Sequence, residues 1–188
     1  MENKMLKKVS KLMSLVLRHQ PDVLSLTPDD QGWVSTQQLL TGLKTKFRSI
    51  NVETIKMVVE SNDKQRFCFN HDFSLIRANQ GHSISIDLGL EPTIPPRELY
   101  HGTYSQALKD IFKNGLLKMT RQHVHLSSNI ETAIKVGSRR GKPIVLKVCS
   151  QSMHNDGHIF YLSDNNVWLT EHVPAEYLSQ SEDKIQKL

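Results

Sequence analysis

Residues 51–78, NVETIKMVVESNDKQRFCFNHDFSLIRA, contain the change of periodicity on which the fold assignment depends. Asn51 is a suitable helix cap, and the apolar residues after it recur at the three- and four-residue spacing of one helical face. Arg66–Asn70 and Phe73–Ala78 then have the composition of strands, with Asn70-His71-Asp72 between them. The stretch therefore predicts a helix followed by a β-hairpin.

Two more helices are predicted upstream of this stretch. Residues 5–17 repeat apolar residues at helical spacing, and Pro21 disfavours helix just before it, so Arg18 and His19 are expected in the last turn. Ser35 and Gln38 form a capping box for a helix that runs to about Lys46. Three helices followed by a hairpin is the order of a winged helix, so residues 1–88 are predicted to form a winged-helix lobe.

The pattern changes after a predicted linker at residues 87–98, which contains one glycine and three prolines. Ser105 and Ser128 are predicted to cap helices that end at Gly115 and near Gly137. Short strands are predicted at Leu99–His101, Val124–Leu126, Pro143–Val148, Ile159–Leu162 and Val167–Thr170. The predicted fold class is α+β, with a second compact lobe over residues 97–180.

Composition limits the classes of protein to which the chain can belong. The apolar fraction is 38%, and no apolar run approaches the ~20 residues that span a bilayer. We therefore expect that the chain is not an integral membrane protein. Cys68 and Cys149 each lie in an apolar run, which favours free thiols and a reducing cytoplasm. The net charge of +5 is shared by both halves of the chain and is compatible with a polyanionic partner. We expect a cytoplasmic monomer.

Several short stretches contain polar residues that folding does not require. They are rich in Arg, His, Asn, Gln and Ser and contain no Asp or Glu, which suits an anionic substrate and above all phosphate. The stretches are Leu17-Arg18-His19, Lys64-Gln65-Arg66-Phe67, Ile76-Arg77-Ala78-Asn79-Gln80-Gly81-His82-Ser83, Tyr100-His101-Gly102-Thr103, His123-Val124-His125-Leu126-Ser127 and Gly137-Ser138-Arg139-Arg140-Gly141.

Each stretch also has a structural interpretation that the residues alone leave open. Arg18 and His19 suit the negative end of a helix dipole, and Gly81 suits an ordinary turn. Arg66 and the Arg139-Arg140 pair fit a solvated surface. His123 and His125 share one face of a predicted strand and, with His101, form an alternative set of zinc ligands, although no carboxylate or Cys accompanies them.

In this order, the stretches resemble the RNA 2′-phosphotransferase (KptA) family from about Lys7 to Leu178. The resemblance implies a winged-helix RNA-binding lobe followed by an ADP-ribosyltransferase-like lobe that holds NAD⁺. It is carried by Ser14-Leu15-Val16-Leu17-Arg18-His19-x-Pro21, Arg77-Ala78-x-Gln80-Gly81-His82-Ser83, Tyr100-His101-Gly102-Thr103, His123-Val124-His125-Leu126-Ser127 and Val167-Trp168-Leu169-Thr170.

The resemblance also implies a two-step reaction that needs no metal. An internal RNA 2′-phosphate, of the kind left at a tRNA splice junction, attacks C1″ of the nicotinamide ribose and expels nicotinamide. The 2″-hydroxyl then attacks phosphorus, which releases RNA with a plain 2′-hydroxyl and ADP-ribose 1″,2″-cyclic phosphate. NAD⁺ is a co-substrate in this scheme, and the partner is RNA bearing a 2′-phosphate.

The family's site residues carry over onto named positions of this chain. The catalytic Arg-His-Arg-Arg tetrad corresponds to Arg18, His19, Arg66 and Arg139, with Arg140 as the alternative for the last position. The resemblance implies that NAD⁺ is bound by His101, Gly102, Thr103, Ser127 and His125, and that the substrate phosphate or a ribose is contacted by Asn79, Gln80 and His82.

Two rival functions remain open from the sequence. One is a non-enzymatic winged-helix nucleic-acid binder, and the other is a transferase that leaves ADP-ribose on a 5′-phosphorylated nucleic acid. Modification of proteins is disfavoured, because enzymes of that kind often use a catalytic Glu and no Glu stands in the matching strands; Glu171 lies just past one of them.

Overall fold

The structure, a computed structural model, describes residues 2–62 and 64–181, without the side chains of Glu2, Asn3 and Arg140. The chain divides between Gly89 and Leu90 into two compact units. Unit 1 precedes this boundary and unit 2 follows it, and each has its own buried apolar core. The boundary lies within the stretch predicted as a linker.

In its described residues, unit 1 contains three α-helices and one three-stranded antiparallel sheet with the order β1-β3-β2. The predicted sequence of three helices and a hairpin is confirmed, and β1 is a strand that the prediction lacked. The bounds are Glu2–Val16 (α1), Val34–Ser35 (β1), Thr36–Lys44 (α2), Val52–Glu60 (α3), Phe67–Phe69 (β2) and Leu75–Ala78 (β3).

The helix starts of unit 1 follow the predicted caps. The Ser35 hydroxyl accepts a hydrogen bond from the Gln38 amide at 3.4 Å. Asn51 Oδ1 accepts from the Thr54 amide at 2.9 Å, while Thr54 Oγ1 accepts from the Asn51 amide at 3.3 Å. These side chains satisfy amides that a helix start leaves without intrahelical partners.

Helix α1 ends before Arg18 and His19, which the sequence predicted to lie in its last turn. Its last residue is Val16, so Arg18 and His19 lie in the turn that follows. The helical bonding nevertheless continues, because the amides of Leu17 and His19 donate to the carbonyl groups of Met13 and Leu15 at 2.9 Å each. A 3₁₀ turn then begins at Pro21, whose ring is compatible with a first helical position.

The core of unit 1 explains the apolar spacing of its helices. One face of α1 is completely buried and packs with apolar residues of α2, α3 and the sheet. Burial of each large aliphatic side chain stabilises the fold by about 1.5–3 kcal/mol. The fully buried residues are Val9, Met13, Val16, Leu17, Leu39, Leu43, Ile55, Ile76 and Ala78.

In the described part of unit 2, short strands form antiparallel sheets and three α-helices separate them, so the fold class α+β is confirmed. The sheets have the orders β11-β7-β4, β6-β9-β8 and β10-β5. The bounds are Leu99–Tyr104 (β4), Leu108–Asn114 (α4), Leu116–Leu117 (β5), Val124–Leu126 (β6), Ile130–Gly137 (α5), Pro143–Val148 (β7), Ser150–Asn155 (α6), Phe160–Leu162 (β8), Trp168–Thr170 (β9), His172–Val173 (β10) and Leu178–Gln180 (β11).

Helix α5 packs directly against the backbone of β4 at two glycines. A Cβ on Gly102 would lie 1.7 Å from the carbonyl oxygen of Ala133, and a Cβ on Gly137 would lie 2.7 Å from that of Thr103. Such distances are well below van der Waals contact, so only glycine permits this approach. Gly102 therefore has a packing role, whatever it contributes to a ligand site.

Two predicted caps of unit 2 are wrong by a short distance. Ser105 lies in a 3₁₀ turn before α4, and its hydroxyl hydrogen-bonds Gln106 instead of a helix amide. Asn129 rather than Ser128 caps α5, since Asn129 Oδ1 accepts from the Thr132 amide at 2.8 Å. Ser and Asn cap helices about equally well, so residue type alone does not decide between the two neighbours. Gly115, in contrast, ends α4 as predicted, with a φ of +77°.

Two further observations concern the cysteines and the helices. Cys68 and Cys149 form no disulfide, although both are half-buried rather than buried. Among residues 2–62 and 64–181, no helix combines the length and the apolar character that crossing a bilayer requires.

We expect Gly102→Ala to lower the free energy of unfolding by about 1–3 kcal/mol, as overpacking commonly does. The new methyl group meets the backbone of Ala133, which no side-chain rotation can relieve. Urea unfolding followed by circular dichroism measures the change. Ser128→Ala is the control, because Ser128 is exposed and does not cap α5. Equal stability of the two variants would contradict the packing role of Gly102.

Candidate active site

In unit 1, the turn that follows α1 is bound to the segment that follows β3. The Ser83 amide donates to the carbonyl oxygen of Arg18 at 2.9 Å, and the Ser83 hydroxyl lies 2.9 Å from Nδ1 of His19. These two bonds determine where the backbone of Arg18 and the imidazole of His19 lie. Sequence reasoning included Ser83 in a motif but gave it no role.

A second set of bonds connects Arg66 to the same region. The carbonyl oxygen of Arg66 accepts from the Asn79 amide at 2.9 Å and from Nη2 of Arg18 at 3.4 Å. The guanidinium of Arg66 donates from Nη1 to Oδ1 of Asn62 at 3.1 Å. One backbone carbonyl group therefore joins three residues predicted for the site: the backbone of Arg66, the backbone of Asn79 and the side chain of Arg18. Asn62, which is buried, positions one of them, and no sequence signal identified it.

Asn79 lies under this cluster rather than on its surface. Its side-chain amide donates to the carbonyl oxygen of Gln65 at 2.6 Å, which holds Gln65 in a left-handed conformation with a φ of +41°. Its Oδ1 is buried without a hydrogen-bond partner among the described residues. The neighbouring Gln80 is half-buried. Asn79 thus stabilises the backbone before Arg66, and its contact with a phosphate stays a prediction.

His82 is the most buried ionisable side chain of this cluster. It is 1% exposed, and neither ring nitrogen has a hydrogen-bond partner among the described residues. Burial, followed by the nearby charges of Arg18, His19 and Arg77, lowers the pKa of His82 to about 3. The ring is therefore neutral near pH 7. The His82 ring lies near Arg18, His19 and Arg77 without adding a charge to theirs. A direct contact of His82 with the substrate stays a prediction.

In unit 2, the residues predicted to bind NAD⁺ lie on β4 and around β6. Tyr100 and Ser127 exchange two backbone hydrogen bonds of 2.8 Å, which join the two strands. Nδ1 of His101 donates to the carbonyl oxygen of His125 at 3.1 Å. Because a carbonyl oxygen only accepts, Nδ1 carries the hydrogen in this arrangement.

His101 is consequently suited to accept a hydrogen bond at its other nitrogen. Burial lowers the pKa of His101, and the charge of Arg121 acts in the same direction. A neutral ring with a hydrogen on Nδ1 presents a lone pair at Nε2. That acceptor fits a sugar hydroxyl better than it fits a phosphate oxygen.

The remaining predicted NAD⁺ residues differ in accessibility. Ser127 and His125 are half-buried, whereas Thr103 is 5% exposed and Gly102 faces α5. Thr103 and Gly102 therefore contribute to the strand itself, and their direct contact with NAD⁺ stays a prediction.

Arg139 is exposed in a 3₁₀ turn, Ser138–Arg140, that follows α5. The side chain of Arg140 lies outside the described part of the chain, so the choice between the two arginines stays a prediction. That Arg139 joins Arg18, His19 and Arg66 around one phosphate is likewise a prediction.

The alternative of a zinc site concerns His101, His123 and His125. Within the described residues, no group of three or more His, Cys, Asp or Glu side chains is arranged to hold a metal ion. His123 packs edge-on against Tyr161 with ring centroids 5.7 Å apart, and burial lowers its pKa. His101 uses Nδ1 for the carbonyl group of His125.

Comparison with known proteins identifies the family. A family model described as RNA 2′-phosphotransferase, Tpt1 / KptA family, matches residues 4–172. A Flavobacterium johnsoniae protein named probable RNA 2′-phosphotransferase is 50% identical over 95% of this chain and 98% of its own. Proteins of the same name from Nostoc punctiforme and Fusobacterium nucleatum are 49% and 44% identical, over 96% and 91% of this chain and 99% and 96% of their own. The chain belongs to the RNA 2′-phosphotransferase family.

We expect His82 to make the stability of the protein depend on pH. Its folded-state pKa of about 3 lies below the value of 6.5 for an unperturbed histidine. The unfolded chain therefore binds the proton first, so stability is lost as pH falls from about 6.5 towards 3, by at most ~1.4 kcal/mol per pH unit. The free energy of unfolding, measured in urea between these pH values, should fall less steeply in His82→Gln than in the unaltered protein.

His71→Gln is the matched control, because His71 is an exposed histidine of the same unit. If both variants show the slope of the unaltered protein, His82 is not neutral in the folded state.

Proposed function

We propose that this protein is an NAD⁺-dependent enzyme that removes an internal 2′-phosphate from RNA. Its products are nicotinamide, RNA with a free 2′-hydroxyl, and ADP-ribose 1″,2″-cyclic phosphate. Membership of the RNA 2′-phosphotransferase family supports the substrate and the group that is removed. The cationic cluster of unit 1, formed by Arg18, His19 and Arg66, supports a phosphate as the ligand of this lobe.

The carrying observation is that the guanidinium of Arg18 is held by the backbone carbonyl group of Arg66, while the guanidinium of Arg66 is held by Asn62. A guanidinium group offers several N–H donors to the oxygens of a phosphate and retains its charge at all relevant pH values. Such donors stabilise the negative charge that develops around phosphorus in a phosphoryl transfer. Unit 1 is accordingly proposed as a winged-helix lobe that binds the RNA phosphate.

Unit 2 is proposed as the lobe that binds NAD⁺, with an ADP-ribosyltransferase-like fold. The lone pair of His101 Nε2 fits a ribose hydroxyl, and Ser127, which follows β6, pairs with Tyr100 next to His101. NAD⁺ supplies the electrophilic sugar carbon from which nicotinamide departs with the bonding electrons. Arg139 is proposed to approach the same phosphate, which would complete the Arg-His-Arg-Arg set.

The test is incubation with NAD⁺ and an RNA that bears one internal 2′-phosphate, followed by mass analysis of both products. Plain RNA together with the cyclic phosphate supports the proposal. RNA that retains ADP-ribose would indicate the capping alternative instead. An unchanged RNA, with no rise of the thermal midpoint on addition of NAD⁺, would indicate a non-enzymatic binder, because a ligand of the folded state must raise that midpoint.

Arg18→Ala should lower the rate of nicotinamide release from NAD⁺ and 2′-phosphorylated RNA by ~10²-fold or more, the usual effect of losing one transition-state donor. The matched control is Arg48→Ala, which removes an exposed arginine of the same unit. Comparable rates for both variants would remove Arg18 from the catalytic set.

Ser83→Ala should lower kcat by up to about tenfold, the equivalent of one net hydrogen bond of ~1.4 kcal/mol. The reason is that the Ser83 hydroxyl orients the His19 imidazole through Nδ1. Ser83→Thr keeps a hydroxyl and should restore most of the activity. Nitrogen chemical shifts of the His19 ring report the tautomer, and an unchanged spectrum in Ser83→Ala would contradict the positioning role.

A further inference from the structure

Helix α1 carries a row of lysines on its exposed surface. Lys4, Lys7, Lys8 and Lys11 are all exposed, and the sequence has no Asp or Glu between Lys4 and Arg18. Within the described part of the chain, none of these lysines forms an ion pair with a carboxylate. Among the described residues, the row is therefore a positive patch without a paired carboxylate.

Three of the lysines are aligned with the cationic cluster. At about 100° per residue, Lys4, Lys7, Lys11 and Arg18 fall within an arc of about 60° of the helix surface. The helical hydrogen bonds of Leu17 and His19 continue this alignment past the end of α1. We call Lys4, Lys7 and Lys11 the lysine stripe. At 1.5 Å per residue, it extends about 21 Å from Arg18 along the helix.

The side of α1 next to the stripe contacts the site itself. The hydroxyl of Ser10 accepts from Nδ2 of Asn62 at 3.5 Å, and Asn62 in turn holds the guanidinium of Arg66. Ser10 lies about 60° from Lys7 on the helix surface. The stripe is thus adjacent to the Arg18–Arg66 cluster within unit 1.

The stripe is unfavourable for the helix that carries it. Lysines three and four residues apart repel one another, and those near the start of a helix oppose its dipole. Neither cost is offset by Glu partners on the stripe. The helix forms because Val9, Met13 and Val16 are buried on its other face. The arrangement therefore indicates an external polyanion.

We propose that the lysine stripe binds backbone phosphates of the RNA strand whose 2′-phosphate occupies the Arg18–Arg66 cluster. This inference rests on the function proposed above. Lysine is a flexible point charge that contacts phosphates without reading sequence, which suits a strand that must be accepted whatever its bases. At ~3.4 Å per stacked nucleotide, about 21 Å corresponds to about six nucleotides.

An anionic membrane is a weaker match to this surface. Helices that lie on membranes place large apolar side chains beside their cations. Here the apolar residues of α1 pack against the core of unit 1 instead, as Met5, Leu6 and Leu12 do.

The test compares a dodecamer and a trinucleotide that each carry a central 2′-phosphate. The triple variant Lys4→Gln, Lys7→Gln and Lys11→Gln keeps helix-forming side chains and removes the charge. For the dodecamer, KM should rise on the order of tenfold at low salt with little change in kcat. The plot of log affinity against log salt should become shallower, its negative slope losing about two units of magnitude. For the trinucleotide, which cannot reach the stripe, both constants should stay unchanged.

The matched control is Lys44→Gln, Lys46→Gln and Arg48→Gln, which removes the same charge from exposed residues of the same unit. An equal loss in the control would show a general effect of charge, and an equal loss on both substrates would show damage to the site. Either result, or an unchanged KM for the dodecamer, overturns the proposal.

Failure of the proposed function has a different signature. If the unaltered protein converts neither substrate, the reaction assignment is wrong. The stripe is then tested by fluorescence anisotropy with an unphosphorylated dodecamer, whose binding should still weaken in the stripe variant but not in the control. Equal binding by the two variants would overturn the stripe as an RNA contact.

Discussion

The carbonyl group of Arg66 is the point on which the candidate site of unit 1 depends. It accepts from the amide of Asn79 and from the guanidinium of Arg18, so segments that lie far apart in the sequence are joined through one oxygen atom. An arginine side chain loses rotamer freedom when it is held in one place. The backbone acceptor offsets part of that cost for Arg18, and the side chain of Asn62 does so for Arg66. Donors that are held in place before an anion arrives are what electrostatic stabilisation of a phosphoryl group requires.

Burial keeps two histidines of the candidate sites, His82 and His101, in the neutral form. His82 is packed among cations, and burial keeps its ring uncharged, so it fills space without strengthening their repulsion. His101 has its hydrogen held on Nδ1 by the carbonyl group of His125, which leaves a lone pair for a hydroxyl donor. His19, on the surface, is oriented by the hydroxyl of Ser83. Residues of one type thus have different chemistry because their surroundings differ.

Local signals in the sequence were sufficient where one interaction decides the outcome. Asn51 and Ser35 cap the predicted helices because a cap depends on residues three apart, and Gly115 ends α4 because its backbone conformation favours glycine. Prediction was poorer where two neighbours compete, as Ser128 and Asn129 do for α5. Strands of two residues, such as Val34–Ser35, have too little sequence for a periodic pattern. They exist because partner strands elsewhere supply their hydrogen bonds.

The sequence by itself determined the kind of chemistry: arginines, histidines and amides without carboxylates indicate an anionic substrate, and the order of motifs indicates the family. It also determined the α+β class, through periodicities that depend only on neighbouring residues. Only the tertiary structure decided that His82 is buried and neutral, that Asn62 and Ser83 position Arg66 and His19, and that Gly102 is needed for the approach of α5. These properties depend on contacts between residues distant in sequence, and spacing along the chain carries no information about burial or partners at such separations.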